Sequence, residues 1–145
     1  MLSNLFVDTD IILDVILNRE DHYDDSAAIF KCFENHTAKL YTSSSIIINA
    51  QYIGQKQISK EKCKSAIKYL LEYFEFIEPN KLVITEAYNS GFSDMEDAIQ
   101  YFMAKHSGFI DYIITRNIKD YKKETNGVPV VTPAQFLKLH AKENS

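Results

Sequence analysis

Short apolar runs alternate with stretches of helical spacing along this chain. The first run covers residues 2–7 and stops at Asp8, and apolar residues then recur at helical spacing over residues 10–17. This pattern predicts a buried strand that leads directly into a buried helix. Asp8 then lies where the strand's carboxyl end meets the helix start, the edge at which open α/β sheets bind ligands. Asp8 or Thr9 could equally serve only as the helix N-cap.

The same alternation continues to the end of the chain. Helical spacing recurs after Ser26, at residues 46–54, at residues 63–74 behind a Ser59 cap, and at residues 83–88. The β-branched run at residues 46–48 leaves a strand extension open there. The remaining predicted strands are residues 40–42, 74–77, 112–115 and 128–131, the last at a sheet edge because Pro129 lacks a backbone donor.

Two capping boxes mark further helix starts. Ser93 with Glu96 predicts the start of a helix that ends at Gly108, and Thr132 with Gln135 predicts the start of the last helix. Strands that alternate with helices predict a three-layer α/β/α sandwich around a central, mainly parallel sheet of four to five strands. The chain of 145 residues is expected to form a single domain over residues 1–145.

Composition narrows the class of protein. The chain is 46% hydrophobic and 25% charged, as in ordinary soluble proteins, and it shows no membrane-spanning run or secretion signal, so a cytoplasmic location is expected. Cys32 and Cys63 fall within helical patterns without metal-ligand spacing and are predicted to be reduced core thiols. The net charge of −4 gives no basic footprint for nucleic acid, although clustered active-site acids would themselves bias that total.

Acids recur at predicted element ends. Asp94 and Asp97 share one face of a helix's first turn, where the helix dipole alone can explain an acid. Asp97 lies a turn in, beside the apolar Ala98, and a carboxylate near a buried face needs a partner such as a metal ion. Asn117 and Asp120 follow the fourth strand, either as a polar turn or as part of the ligand edge.

These residues are expected to converge on one site. Oxygen ligands of this kind suit Mg²⁺ or Mn²⁺, which activate water and stabilise phosphoryl transfer. The candidate catalytic residues are Asp8, Asp97, Asp94, Asp120, Asn117 and Asn49. The candidate substrate-binding residues are Thr9, Ser44, Thr115, Arg116 and Lys119.

Four blocks of the chain together resemble the PIN domain family, the fold of VapC-type toxin ribonucleases and related nucleases. They are residues 6–10, 41–52, 94–98 and 113–121. The resemblance spans residues 5–139 and implies a parallel sheet of four or five strands. It also implies Mg²⁺- or Mn²⁺-dependent cleavage of single-stranded RNA, metal ligation by Asp8 and Asp97, frequent homodimers and, in toxin members, a neutralising antitoxin.

The chain departs from the family pattern at two acids. Asn49 stands at the usual second acid and Asn117 at the fourth, with Asp120 and Asp94 as candidate substitutes. We therefore assign the chain to a subfamily with two asparagines, in which weaker metal binding is expected. A catalytically weak or inactive module that binds RNA or a protein partner is the alternative. A haloacid-dehalogenase-like phosphatase, suggested by Asp8-Thr9-Asp10, is the third interpretation.

Substrate contacts are expected from lysines outside the acidic site. Solvated helix faces would explain the same pattern. The candidates are Lys56, Lys60, Lys64 and Lys68 in one helical region, and Lys119, Lys122 and Lys123 beside the site.

Overall fold

Five parallel strands form the centre of the molecule, in the order β3-β2-β1-β4-β5. A computed structural model describes residues 2–121 and 127–143. The strands are β1 (Ser3–Val7), β2 (Ala38–Thr42), β3 (Phe74–Phe76), β4 (Tyr112–Ile114) and β5 (Val130–Val131). The helices are α1 (Thr9–Ile16), α2 (Tyr23–Glu34), α3 (Ser44–Gly54), α4 (Lys60–Leu70), α5 (Lys81–Tyr88), α6 (Met95–Ser107) and α7 (Pro133–Glu143).

The strand order divides the helices between the two faces of the sheet. The chain moves one way from β1 through β2 to β3, and then crosses back past β1 to β4. Right-handed crossovers in opposite directions lie on opposite faces, so α1 to α4 cover one face and α5 and α6 the other. The expected three-layer α/β/α architecture is confirmed, with all five strands parallel and β5 at an edge.

The sheet grows from β1 in one direction through β2 and β3, and in the opposite direction through β4 and β5. The point beside β1 where this order reverses positions the site. Val7 pairs with Ile114 at the last register position of β1 and β4. The next residue, Asp8, donates its backbone amide to the Ile114 carbonyl at 3.0 Å. The crevice beyond these two strand ends is the switch point at which sheets of this kind bind ligands.

The core is built from the apolar positions of the sequence pattern. Side chains on β1, α1 and α6 are almost completely buried, including Phe6, Ile12 and Tyr101. Cys32 and Cys63 are buried free thiols, as predicted. None of the helices in the described residues combines the length and the apolar character needed to cross a bilayer.

Residues 46–48 belong to the predicted helix, and the strand extension left open there is excluded. Other element boundaries differ from the sequence predictions. The helix predicted through Phe74 ends at Leu70 and continues as a 3₁₀ turn, Leu71–Tyr73, because Phe74 pairs with Leu40 as a strand. The second helix starts at Tyr23.

The predicted helix caps divide into confirmed and wrong. Ser59 accepts a hydrogen bond from the Lys62 amide, Gly108 ends α6 with a φ of 76°, and Thr132 and Gln135 form a reciprocal capping box. Ser93 does not cap α6. The N-cap is Asp94, whose carboxylate accepts from the Asp97 amide at 3.0 Å, one residue later than predicted.

Candidate functional site

Asp8 both caps α1 and faces the site. Its Oδ1 accepts a hydrogen bond from the Thr9 amide at 2.7 Å, and its Oδ2 accepts one from the Thr115 hydroxyl at 2.9 Å. Its side chain is 8% exposed. Capping and function, left open by the sequence, therefore involve the same carboxylate, and Thr115 fixes its orientation.

The first turn of α6 supplies the second carboxylate. Asp94 occupies the N-cap, and Asp97 lies one turn in, where it is partly buried. Asp97 Oδ1 lies 3.3 Å from the hydroxyl of Tyr121, which donates to it. Asp94 is thus exposed, whereas Asp97 is held from within the core.

A cleft of about 260 Å³ joins these two elements. Six of the predicted catalytic or substrate-binding residues line it: Asp8, Thr9, Asn49, Asp94, Asp97 and Asn117. Four lining residues were not among the predicted site residues: Asp10, Leu13, Ile53 and Glu96. The structure therefore brings together acids that follow β1 and acids from the α6 start, with the Asn49 amide of α3 beside them.

Both central carboxyls hold their protons unusually tightly. Burial raises the pKa of Asp8 to about 7, and the nearby charges of Asp10 and Asp97 raise it as well. Burial raises the pKa of Asp97 to about 7, with further contributions from Asp94 and Asp120. Burial also raises the pKa of Asp10. A cluster of carboxyls with raised pKa values favours whatever positive charge can enter the cleft, whether a proton or a cation.

The donor set suits a partly hydrated cation. Within the described residues, two buried oxygens of the cleft residues, Thr9 Oγ1 and Asp10 Oδ1, lack a hydrogen-bond partner. Among residues 2–121 and 127–143, no three His, Cys, Asp or Glu side chains are arranged to hold a metal together. Mg²⁺ is commonly held through one or two carboxylates and keeps several waters. Asp8 and Asp97, with the amide oxygens of Asn49 and Asn117, fit that mode of binding.

Five of the predicted site residues do not line the cleft. Ser44 donates through its amide and its hydroxyl to Glu78, at 2.6 Å and 2.7 Å. Thr115 is buried behind Asp8, and Asp120 accepts a hydrogen bond from the Asn117 amide group. Lys119 is exposed on the 3₁₀ turn Ile118–Tyr121. Lys122 and Lys123 lie outside the described residues.

Arg116, the fifth, binds through its side chain to an acid that does not line the cleft. Its Nε and Nη2 bind the two oxygens of Asp14, each at 2.9 Å, and Asp14 has no exposed surface. Its backbone amide donates to Asp10 Oδ2 at 2.9 Å. Arg116 therefore ties the turn after β4 to α1 through two acids, and its guanidinium compensates a buried charge.

Glu96 is held in place by two amides. Asn49 Nδ2 donates to Glu96 Oε1 at 2.8 Å, and Gln100 Nε2 approaches the same oxygen at 3.3 Å. The contact from Asn49 connects α3 to α6 at the cleft. The position at which the family resemblance implies an acid is thus occupied by an amide that binds an acid of another helix.

The missed residues left different signals in the sequence. Asp14 interrupts the apolar pattern of α1, and a buried acid requires a partner. The sequence therefore indicates that Asp14 is paired, but it does not identify the partner. Asp10 stands two residues after Asp8. Glu96 was interpreted only as the acid of a capping box. Tyr121 and Gln100 carry no signal of their own, because a buried tyrosine or glutamine is ordinary in a core.

A family model of the PIN domain matches residues 4–119 of the chain. The chain belongs to the PIN domain family. Ribonuclease VapC1 of Aquifex aeolicus is a PIN-type relative in sequence, with 30% identity over 111 residues, 73% of this chain and 76% of that protein. The dehalogenase-like interpretation of Asp8-Thr9-Asp10 is therefore wrong.

Solved structures share this PIN fold. VapBC2 from Rickettsia felis, determined bound to a DNA fragment from its promoter, gives a TM-score of 0.65 at 20% identity and covers 88% of this chain and 98% of that one. VapC20 of Mycobacterium tuberculosis, a Sarcin-Ricin loop cleaving toxin, gives a TM-score of 0.65 at 10% identity, with 86% and 96% coverage. At these identities the likeness concerns the fold alone.

Proposed function

We propose that the protein is a divalent-cation-dependent endoribonuclease of the VapC type that cleaves phosphodiester bonds of single-stranded RNA. The observation that carries the proposal is the single cleft lined by both Asp8 and Asp97, although they lie on separate elements. The sequence relationship to a VapC ribonuclease supports the same chemistry.

The residues divide into binding and orienting roles. Asp8 and Asp97 would hold the cation, either Mg²⁺ or Mn²⁺, and the Thr115 hydroxyl orients Asp8. A bound cation would supply activation of water and neutralisation of charge on the scissile phosphate. Asn49 and Asn117 bring oxygen atoms but no charge, so we expect weaker cation binding than in a site with four acids.

The decisive assay measures cleavage of labelled single-stranded RNA by wild type and by Asp97→Asn, each in Mn²⁺ and in EDTA. We expect slow cleavage by wild type in Mn²⁺, none in EDTA and none by Asp97→Asn, whose fold is retained because the isostere relieves acid–acid repulsion. Equal traces of cleavage by both proteins would identify a contaminating nuclease and contradict the proposal.

We propose that lysines outside the acidic cleft contact the phosphates of the RNA. Lys60, Lys64 and Lys68 recur every four residues along α4 and are exposed, and Lys56 Nζ lies 4.1 Å from the ring centroid of Tyr52, one turn from Asn49. Phosphate contacts release counterions, so RNA affinity measured in EDTA should fall steeply with salt. Substitution of Lys56 by Ala should flatten that dependence if Lys56 contacts phosphate.

A non-catalytic PIN module is the second candidate. The observation that favours it is the Asn49 amide bound to Glu96, together with the absence, among the described residues, of a three-residue metal cluster. Such a module would bind RNA in EDTA and leave it intact in Mn²⁺. The assay with Asp97→Asn separates the two candidates.

The proposed physiological context is a toxin–antitoxin pair. The sequence relative is a VapC ribonuclease, and structures of VapBC share the fold. A small protein encoded beside this chain should then form a stable complex with it and suppress RNA cleavage. Light scattering of the co-expressed pair tests this, and the chain alone would show whether it forms the expected homodimer.

A further inference from the structure

Tyr121 is a buried tyrosine whose hydroxyl contacts the candidate site from the core side. It ends the 3₁₀ turn Ile118–Tyr121 and is 2% exposed, and its ring meets Phe92 edge to face at 5.9 Å. Its hydroxyl lies 3.3 Å from Asp97 Oδ1 and 3.3 Å from Gln100 Oε1. A hydrophobic core position needs only the ring, so the hydroxyl requires a separate explanation.

The hydroxyl carries one proton and faces two acceptors. Asp97 and Gln100 both offer oxygens, and the proton can point to only one of them at a time. Gln100 is 1% exposed and its amide group is committed to Glu96. A buried hydroxyl without a partner would be costly, and donation to a carboxylate is stronger than donation to a neutral amide.

The bond leaves the second oxygen of Asp97 available. Within the described residues, no hydrogen bond to Asp97 Oδ2 is found, and Asp97 lines the cleft that also contains Asp8. A carboxylate that is fixed through one oxygen presents the other in a defined direction. Partners of this type orient metal ligands in proteins and commonly change metal affinity by about 10–100-fold when they are removed.

We propose that Tyr121 is a positioning residue whose hydroxyl fixes the rotation of the Asp97 carboxylate and so presents Oδ2 to a divalent cation in the cleft. This inference rests on the proposed function, since it requires that the cleft bind a cation. It assigns to the hydroxyl a role that packing of the ring does not need.

Tyr121→Phe tests the role, because it removes the hydroxyl and keeps the ring. We expect calorimetric titration with Mn²⁺ to give about tenfold weaker binding than in wild type. At low Mn²⁺, RNA cleavage should slow through kcat while KM for RNA stays unchanged, since the buried side chain cannot touch RNA. Raising Mn²⁺ tenfold should restore the rate.

A matched variant separates positioning from packing. Tyr112→Phe removes a hydroxyl from a tyrosine whose ring packs on Phe136, and it should bind Mn²⁺ as wild type does. Thermal melting in EDTA reports the stability of each variant.

The outcomes distinguish this inference from the proposed function. Wild-type affinity in Tyr121→Phe, or equal losses in Tyr121→Phe and Tyr112→Phe, would overturn the inference and leave the nuclease proposal standing. A wild-type protein that binds no Mn²⁺ overturns both. If Tyr121→Phe does not fold, Mg²⁺ titration of wild type labelled with ¹³C at tyrosine Cζ decides: the Tyr121 resonance must move with the binding curve, and a static resonance rejects the inference.

Discussion

Asp14 has no exposed surface, and its carboxylate accepts two hydrogen bonds from Arg116, one from the Ser26 hydroxyl and a longer one from Arg19. The acids that line the cleft have no such cationic partner within the described residues, apart from the influence of Arg116 on Asp10. At the scale of single residues, compensated and uncompensated carboxylates therefore lie a few positions apart, at the N-cap of α1 and along that helix. The compensated carboxylate of Asp14 stabilises the fold, and the uncompensated carboxylates of the cleft remain available for a cation.

Arg116→Met should destabilise the protein strongly, because it leaves Asp14 buried without its bidentate partner. We expect a loss of about 3–5 kcal/mol in the free energy of unfolding, measured by urea denaturation. Arg19→Met is the matched control, since Arg19 lies 3.5 Å from Asp14 at a partly exposed position, and its loss should be below about 1 kcal/mol. Similar losses in both variants would contradict the assigned role of Arg116.

Asp8 should make the cation-free protein less stable as pH rises. Its folded-state pKa of about 7 exceeds the ordinary value of 3.8, so the folded state binds the proton more tightly than the unfolded chain. The resulting stabilisation is complete below about pH 4 and is lost as pH rises through about 7. In EDTA, wild type should therefore lose more Tm between pH 5 and pH 8 than Asp8→Asn does. Parallel losses would show that Asp8 does not titrate there.

The role of a residue could be predicted only where its position in a strand or helix determines its surroundings in the fold. Asp8 and Asp97 were found because acids at a strand end and in a helix's first turn share the ligand edge of a parallel sheet. Arg116 was expected to bind substrate, but its side chain lies on Asp14, a residue far away in sequence. No local pattern reveals a bond across that separation, so the direction of a long side chain could not be predicted.

At the scale of elements, the start of α6 shows how a cap and a site share residues. Asp94 caps the helix with extended backbone angles, and Asp97 follows three residues later with its side chain at the cleft. The capping-box pattern predicted Ser93 as the cap, whereas the helix starts at Met95 with Asp94 as its cap.

Asp94→Ala should cost about 1 kcal/mol of unfolding free energy, because it removes the acceptor of the Asp97 amide. Relief of repulsion between Asp94 and Asp97 offsets part of that loss. Ser93→Ala should change stability by less than about 0.5 kcal/mol, as at ordinary surface positions. Denaturation curves of the two variants check the assignment, and a larger effect at Ser93 would reverse it.

Helix periodicity also placed the end of α4 too late, for a reason specific to β3. The apolar stripe from Cys63 continues at helical spacing to Phe74, yet Phe74 pairs with β2 and its ring meets Phe30 edge to face at 5.7 Å. The same side chain satisfies both patterns. Sheet pairing decides between them, because an unpaired edge position beside β2 would leave backbone groups without partners.

At the scale of the whole molecule, alternation of strands and helices was enough to predict a parallel three-layer architecture. The order of the strands was not accessible in that way, because periodicity carries no information about which strands are neighbours. The order determines the position of the cleft: β1 is flanked by β2 on one side and by β4 on the other. The family resemblance supplied the expected architecture but not the contacts of Asn49 and Arg116.

The pairing of β1 with β4 has a consequence for a chain that is still being synthesised. β1 is synthesised long before its partner strand, which begins at Tyr112, and both Thr115 and Tyr121 follow that strand. A nascent chain that ends before β4 contains Asp8 and Asp97 without these two hydrogen-bond partners. The cleft therefore cannot be assembled until most of this sequence has been translated.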